Sequence, residues 1–323
     1  MCIRDRNKRP LGSTDFSIAP LVFGGNVFGW TIDEKTSFSV IDAFLDSGFD
    51  AIDTADVYSL WAPGNKGGES ETIIGNWLKA NPGRRDDFKL FTKVGADLGV
   101  PGHKGLSKKW IERAVEDSLR RLNTDYIDLY FSHWPDPETP YEETLEAYQT
   151  LLKAGKIRAI GASNLDAAQL ADSLAAAKQR GLPAYQVLQP EYNLYDRWSF
   201  EGPLCDLCVE NNIGVVTYYS LASGFLAGKY RTKDDLAQSK RGEGIAKYLT
   251  PRGERIVDAL RAVADQQQAT PAEVALAWLI GRRGVTAPIA SATSVAQVES
   301  FAKAAALTLS AEEFAALERA SAE

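Results

Sequence analysis

A carboxylic acid, a phenol, an amine and an imidazole stand at or just beyond the ends of three hydrophobic runs. Asp53 and Tyr58 belong to FDAIDTADVY (49–58), Lys93 to FKLFTKV (88–94) and His133 to DYIDLYFSHWPD (125–136). Together these groups can do general acid chemistry. A free phenol titrates near 10, a neighbouring ammonium favours its phenolate, and a carboxylate can hold that ammonium charged and in place. The expectation is a Tyr58 whose pKa is lowered by Lys93, anchored in turn by Asp53, and which gives a proton to a substrate. A lysine that closes a hydrophobic strand must reach water or a carboxylate, and Asp53 is the natural partner. Taken singly, Asp53 and His133 fit capping or packing roles equally well. The case rests on all four together.

Such groups have to be positioned, and the rest of the chain indicates by what. Hydrophobic runs begin at LVFGG (21–25), DAIDT (50–54), KLFTKV (89–94), YIDLYFSH (126–133), IRAIGAS (157–163), YQVLQ (185–189), IGVVTYY (213–219) and TAPIAS (286–291). They are near-continuous rather than alternating, the pattern of parallel strands covered on both faces. Amphipathic helical stretches fill the gaps, among them 36–48, 107–122 and 141–155. Thr270 with Glu273, Ser294 with Gln297 and Ser310 with Glu313 have capping-box spacing, while Gly48, Gly155 and Gly181 stand where helices should stop. Eight strand–helix units predict an α/β fold, one (β/α)8 TIM barrel over residues 9–323, preceded by a β-hairpin in RPLGSTDFSIA. Barrels of this kind build reaction centres at the carboxyl ends of their strands. Two connections are long, 189–202 after the sixth barrel strand and 220–252 after the seventh. Loops beyond about 12–15 residues in a compact domain are usually functional or disordered. The aromatic content of the first predicts a packed binding wall; the second predicts a Gly/Ser/Lys start and then a mobile charged stretch.

Composition removes several classes. Lys+Arg 36 against Asp+Glu 43 leaves a net charge of −7, with no basic footprint for nucleic acid. No apolar run approaches a membrane span, and no signal peptide is visible. The opening MCIRDR fits none of the patterns, so residues 1–8 read as a disordered or non-native leader. Three cysteines are too few for a stapled secreted protein, so a reducing cytoplasm is expected. Cys205 and Cys208 have redox or metal-knuckle spacing but lack a second pair, and read as packing thiols. Two histidines, His103 and His133, do not supply a catalytic zinc site, so no metal is expected. Gly224-Phe-Leu-Ala-Gly228-Lys229 falls one residue short of a P-loop and is followed by Tyr230, and no Rossmann fingerprint follows any strand.

IDTADVY, LFTKVG, DLYFSHWPD, IGASN and VTYYSLASGFLAGKY, in this order, closely resemble the motifs of the aldo-keto reductase superfamily from about Arg9 to the last barrel helix. The extended loop after the seventh strand is similar to the bacterial and potassium-channel β-subunit branch. The resemblance implies an NAD(P)H-dependent oxidoreductase that reduces an aldehyde or ketone to an alcohol, reversibly. It makes Tyr58 the proton donor, Lys93 and Asp53 its charged partners, and His133 the group that orients the carbonyl. It further implies that Ser163, Asn164 and Gln189 hold the nicotinamide carboxamide beside Asp53, with Tyr219 stacked on the ring. Gly25 and Asn26 then line the near edge, and Ser220, Leu221, Gly224 and Lys229 follow the pyrophosphate. Trp30 and Trp134 become walls of the carbonyl pocket. One departure stands out: Ser291, Thr293, Gln297, Ser300 and Phe301 carry no positive charge where the family grips an adenosine 2′-phosphate. NADPH is expected, with NADH the alternative, and Lys229, Arg231 or Arg283 are the candidates for a compensating cation. Two rival readings are a nicotinamide-redox-sensing regulatory subunit and a Schiff-base lyase using Lys93 as nucleophile. The substrate's identity and the choice between monomer and homo-oligomer stay open.

Overall fold

Eight short parallel strands close on themselves in a computed structural model that describes residues 7–238 and 242–322. An antiparallel hairpin of β1 (Arg9–Pro10) and β2 (Ser17–Ile18) comes first. The barrel strands are β3 (Val22–Gly24), β4 (Ala51–Asp53), β5 (Lys89–Val94), β6 (Ile127–Ser132), β7 (Ile157–Ser163), β8 (Val187–Gln189), β9 (Gly214–Thr217) and β10 (Ala287–Ala290). Each pairs with its neighbour in sequence and β10 returns to β3, so no barrel edge is left open. The helices outside are α1 (Glu34–Asp46), α2 (Glu69–Ala80), α3 (Lys108–Leu122), α4 (Tyr141–Lys153), α5 (Ala167–Arg180), α6 (Pro203–Glu210), α7 (Gly242–Ile245), α8 (Pro251–Gln267), α9 (Pro271–Ile280), α10 (Val295–Ala306) and α11 (Ala311–Ser321). Among the described residues no helix is long and apolar enough to cross a membrane.

The two faces of each strand serve different cores. Phe91, Leu129, Phe131, Val187, Val216 and Ile289 fill the barrel interior, and Leu11 and Ile18 of the hairpin join them. The opposite faces, with Leu90, Tyr130, Ile160 and Leu188, pack under the helices. Burying each such side chain is worth about 1.5–3 kcal/mol relative to exposure. This double burial is why the runs read as continuous hydrophobic stretches.

Caps follow the expected chemistry at two of three positions. Thr270 with Glu273 and Ser310 with Glu313 form complete capping boxes. Ser294 makes no side-chain cap, because Gln297 Oε1 accepts from the Thr293 amide at 2.7 Å instead. The leader expected at 1–8 falls outside the described residues over 1–6, and Lys8 pairs with Asp50 at 2.8 Å.

One glycine is fixed by close approach. A Cβ on Gly75, in the middle of α2, would lie 2.0 Å from the Arg121 carbonyl oxygen at the end of α3. Gly75→Ala is therefore expected to destabilise the fold by about 1–3 kcal/mol through overpacking, outweighing its gain of about 1 kcal/mol in helix propensity. Urea unfolding checks this; a stabilised variant contradicts the packing argument.

Candidate active site

Register decides which side chains meet in the barrel mouth. Asp53 pairs with Phe91, and Phe131 with Lys93. Phe91 and Phe131 point inward, and side chains two residues apart in a strand share a face. Asp53, Lys93 and His133, the last just beyond β6, therefore face the same interior. Tyr58 arrives from the turn after β4, where its amide donates to Ala55 O at 3.2 Å.

The four groups lie close together. Lys93 Nζ donates to Asp53 Oδ2 at 2.6 Å, to the Tyr58 hydroxyl at 2.8 Å and to Thr54 O at 2.8 Å. The Tyr58 hydroxyl lies 3.3 Å from Asp53 Oδ2, and Gln189 Nε2 donates to Asp53 Oδ1 at 2.9 Å. Asp53 and Lys93 are buried. The Tyr58 and His133 rings stand edge to face, 6.0 Å apart between centroids.

Electrostatics correct one expectation. Burial, followed by the Asp53 carboxylate, pushes the Tyr58 phenol well above its ordinary value of 10.0 instead of lowering it. Burial also lowers Lys93 below 10.5, opposed by Asp53. The expected order failed because a pairwise charge argument leaves out the cost of taking a phenolate out of water. Burial, then the Lys93 charge, drives His133 well below 6.5, so its imidazole is neutral near pH 7. Its Nδ1 meets no hydrogen-bond partner among the described residues.

Around this cluster opens a cleft of about 1130 Å³, slightly above the range of about 300–1,000 Å³ usual for ligand sites. Asp53, Tyr58, His133, Trp134, Asn26, Ser163, Asn164 and Gln189 line it. So do Tyr219, Ser220, Leu221, Gly224 and Lys229 from the loop after β9, and Ser291, Thr293 and Gln297 from the segment after β10. Lys229 is the one lysine or arginine among the described lining residues. Two expected wall residues are elsewhere. Gly25 is buried in the turn after β3, where its carbonyl accepts from Ser70 Oγ at 2.7 Å, and Gly24 lines the cleft instead. Trp30 stands behind Trp61, ring centroids 5.6 Å apart, and Trp61 forms the wall.

Backbone strain gathers at this mouth. Tyr219, Ala222 and Ser223 have φ of 53°, 48° and 57°, each costing roughly 1–2 kcal/mol, and such outliers cluster at functional sites; Asn164, at 63°, adopts the same region, which asparagine enters readily. The effect is to hold the Tyr219 ring half-exposed over the cleft. Asn164 donates to His133 O at 2.9 Å and to Ser163 Oγ at 3.1 Å, and accepts from the Tyr218 hydroxyl at 2.7 Å.

Several other expectations need revision. Of the connection 189–202 only Gln189 and Glu191 reach the cleft. Within 220–252, Phe225, Leu226, Tyr230, Ile245 and Tyr248 are buried among short helical turns, while Arg231, Thr232, Asp234 and Ala237 of the charged stretch are exposed; residues 239–241 lie outside the described residues. Arg283 sits on the turn entering β10, at the opposite end of the barrel, paired with Asp206 at 2.6 Å, and Arg231 pairs with Asp258 at 3.7 Å. Cys205 and Cys208 are buried free thiols, the latter pushed up to about 12 by burial, as inert packing groups should be.

A family model described as the aldo/keto reductase family matches residues 20–322. The chain is 34% identical over 308 residues to the uncharacterized oxidoreductase YrpG of Bacillus subtilis (strain 168), covering 94% of this chain and 92% of that one. It is 34% identical over 295 residues to the aldo-keto reductase YhdN of the same organism, covering 90% and 84%. A probable voltage-gated potassium channel subunit beta of Arabidopsis thaliana is 33% identical over 300 residues, covering 91% and 89%.

Proposed function

Since the chain belongs to the aldo/keto reductase family and is an oxidoreductase, we propose that it reduces a small aldehyde or ketone to the alcohol with a reduced nicotinamide dinucleotide. The observation that carries the reading is Lys93 Nζ held between the Asp53 carboxylate at 2.6 Å and the Tyr58 hydroxyl at 2.8 Å.

The cleft fits such a dinucleotide. It has the volume, a half-exposed aromatic ring at Tyr219, and the carboxamides of Asn164 and Gln189 beside the reacting cluster. Bound there, the nicotinamide supplies the hydride. The protein's own residues do the rest. A carbonyl oxygen placed between Tyr58 and His133 receives a hydrogen bond from the neutral imidazole, which polarises it and sets its angle. As negative charge develops on that oxygen it becomes far more basic than a phenolate, so the Tyr58 proton crosses to it. The high pKa of the phenol keeps the proton in place until then. Lys93 meets the resulting phenolate with a hydrogen bond already formed, which needs little reorganisation. Asp53 holds the ammonium, and Gln189 fixes the second carboxylate oxygen.

NADPH is the reductant assigned, following the family's general habit, while the uncharged 291–301 wall keeps NADH as the alternative. Fluorescence titration with each separately tests the assignment. Tighter binding of NADPH upholds it, and NADH binding tenfold tighter reverses it. If neither binds, the reductase reading falls. We place the enzyme in the cytoplasm, which the free buried thiols support. Similarity to potassium channel β subunits favours a second reading, a nicotinamide-sensing regulatory subunit. Tight dinucleotide binding without turnover of a broad aldehyde panel selects it.

A further inference from the structure

Two indoles flank the reacting cluster. Trp61 and Trp134 both line the cleft and are 51% and 50% exposed, which leaves large flat apolar faces open. Exposed indole faces beside a reacting centre are a surface on which a ligand can be laid. Trp61 is braced from behind. Its ring meets Trp30 edge to face at 5.6 Å and Tyr58 at 6.1 Å, and the Trp30 indole N–H donates to Asn26 O. The turn that carries it is tied down as well, since Asn65 Nδ2 donates to Gly29 O at 3.0 Å and to Ser59 O at 2.9 Å. On the other side Trp134 lies nearly parallel to the His133 ring, 16° between planes and 5.8 Å between centroids. The Tyr58 hydroxyl and the His133 imidazole therefore sit in a row of aromatic rings that runs from Trp61 to Trp134.

Resting on the carbonyl-reductase reading, we propose that Trp61, together with Trp134, makes this site selective for carbonyl groups borne directly on a flat aromatic ring. A planar ring offers two faces and an electropositive edge to indoles, and such contacts add affinity beyond the buried area alone. A saturated ring of equal carbon count buries similar surface but lacks the flat face and the polarised edge. The row of braced rings is formed in advance, so little side-chain freedom is lost on binding. Trp61 is here a specificity-determining residue, and the chemistry of proton transfer stays with Tyr58.

The test compares benzaldehyde with cyclohexanecarbaldehyde in the wild type, Trp61→Leu and Trp61→Phe. Dividing the kcat/KM ratio of the two substrates in each variant by that of the wild type cancels their intrinsic reactivity. Trp61→Leu is expected to shift the ratio about tenfold toward the saturated aldehyde, mainly through KM for benzaldehyde, while Trp61→Phe restores most of the preference. A shift below twofold with both substrates still reduced overturns the proposal, as does equal loss in the Leu and Phe variants. Tryptophan-fluorescence titration of the cofactor-free protein with benzamide and cyclohexanecarboxamide gives a readout independent of turnover. Weaker benzamide binding in Trp61→Leu supports the flat-ring site even if no aldehyde is reduced, in which case the reductase reading alone fails. Equal affinity for the two amides in the wild type overturns it.

Discussion

Tyr58→Phe lowers kcat for carbonyl reduction by about 10²–10⁴-fold, the usual worth of a positioned general acid, while the affinity for NADPH or NADH changes little. The variant keeps the ring, and with it the packing against Trp61 and His133 at 6.1 and 6.0 Å. It removes only the hydroxyl, which is the group within 2.8 Å of Lys93 Nζ. Stopped-flow hydride transfer and a separate dinucleotide titration read the two effects. The pH dependence follows from directions already given. Reduction needs the phenol protonated, and burial holds its pKa well above 10.0, so ionisation of Tyr58 does not lower the rate between pH 6 and 10. An alkaline limb appearing below 10.5 belongs to Lys93, whose pKa burial lowers. Asp53→Asn removes the carboxylate that opposes this lowering, so the limb moves to lower pH. Normal turnover in Tyr58→Phe assigns the proton to another donor and sinks this mechanism.

The longest strands were the most legible. KLFTKV and IRAIGAS are strands from first residue to last, 89–94 and 157–163, because nearly every residue of both faces is buried and Gly161 still pairs with Phe131 and Val187 on either side. YQVLQ keeps only Val187–Gln189 in the ladder, since a hydrophobic run gives no sign of where pairing stops. The reacting cluster was legible for the same reason: polar residues that end hydrophobic strands have one place to meet. Trp61 was not. It lies in a turn without periodicity, and the rule that strand ends build the site does not reach it. Trp30 sits behind it because its indole N–H is taken by Asn26 O. Arg283 appeared near the cleft in sequence, being four residues from β10, yet those residues precede the strand and place it at the wrong end. The direction of the Tyr58 shift was lost because sequence shows which charges are neighbours and not how deeply they are buried.

Lys93→Met should cost both stability and rate, and the two losses can be separated. The Lys93 and Asp53 side chains are 0% and 2% exposed, so water screens the pair little. Removing one partner of such a pair strands the other charge at a cost of about 3–5 kcal/mol, and Gln189 and Tyr58 offset only part of it. Denaturant unfolding should show a midpoint lowered accordingly with an unchanged slope. Turnover should fall by about 10²–10³-fold, comparable to losing one preorganised donor to a developing anion. The double variant Asp53→Asn/Lys93→Met removes both charges from the same pocket. Stability should then recover over the single variant, because no carboxylate is left unpaired, while turnover should stay low, because the phenolate still lacks its ammonium. If the single variant unfolds at the wild-type midpoint, the ion pair is not the buried unit described here. If the double variant regains turnover along with stability, Lys93 acts as scaffold alone and its place beside the phenol is incidental.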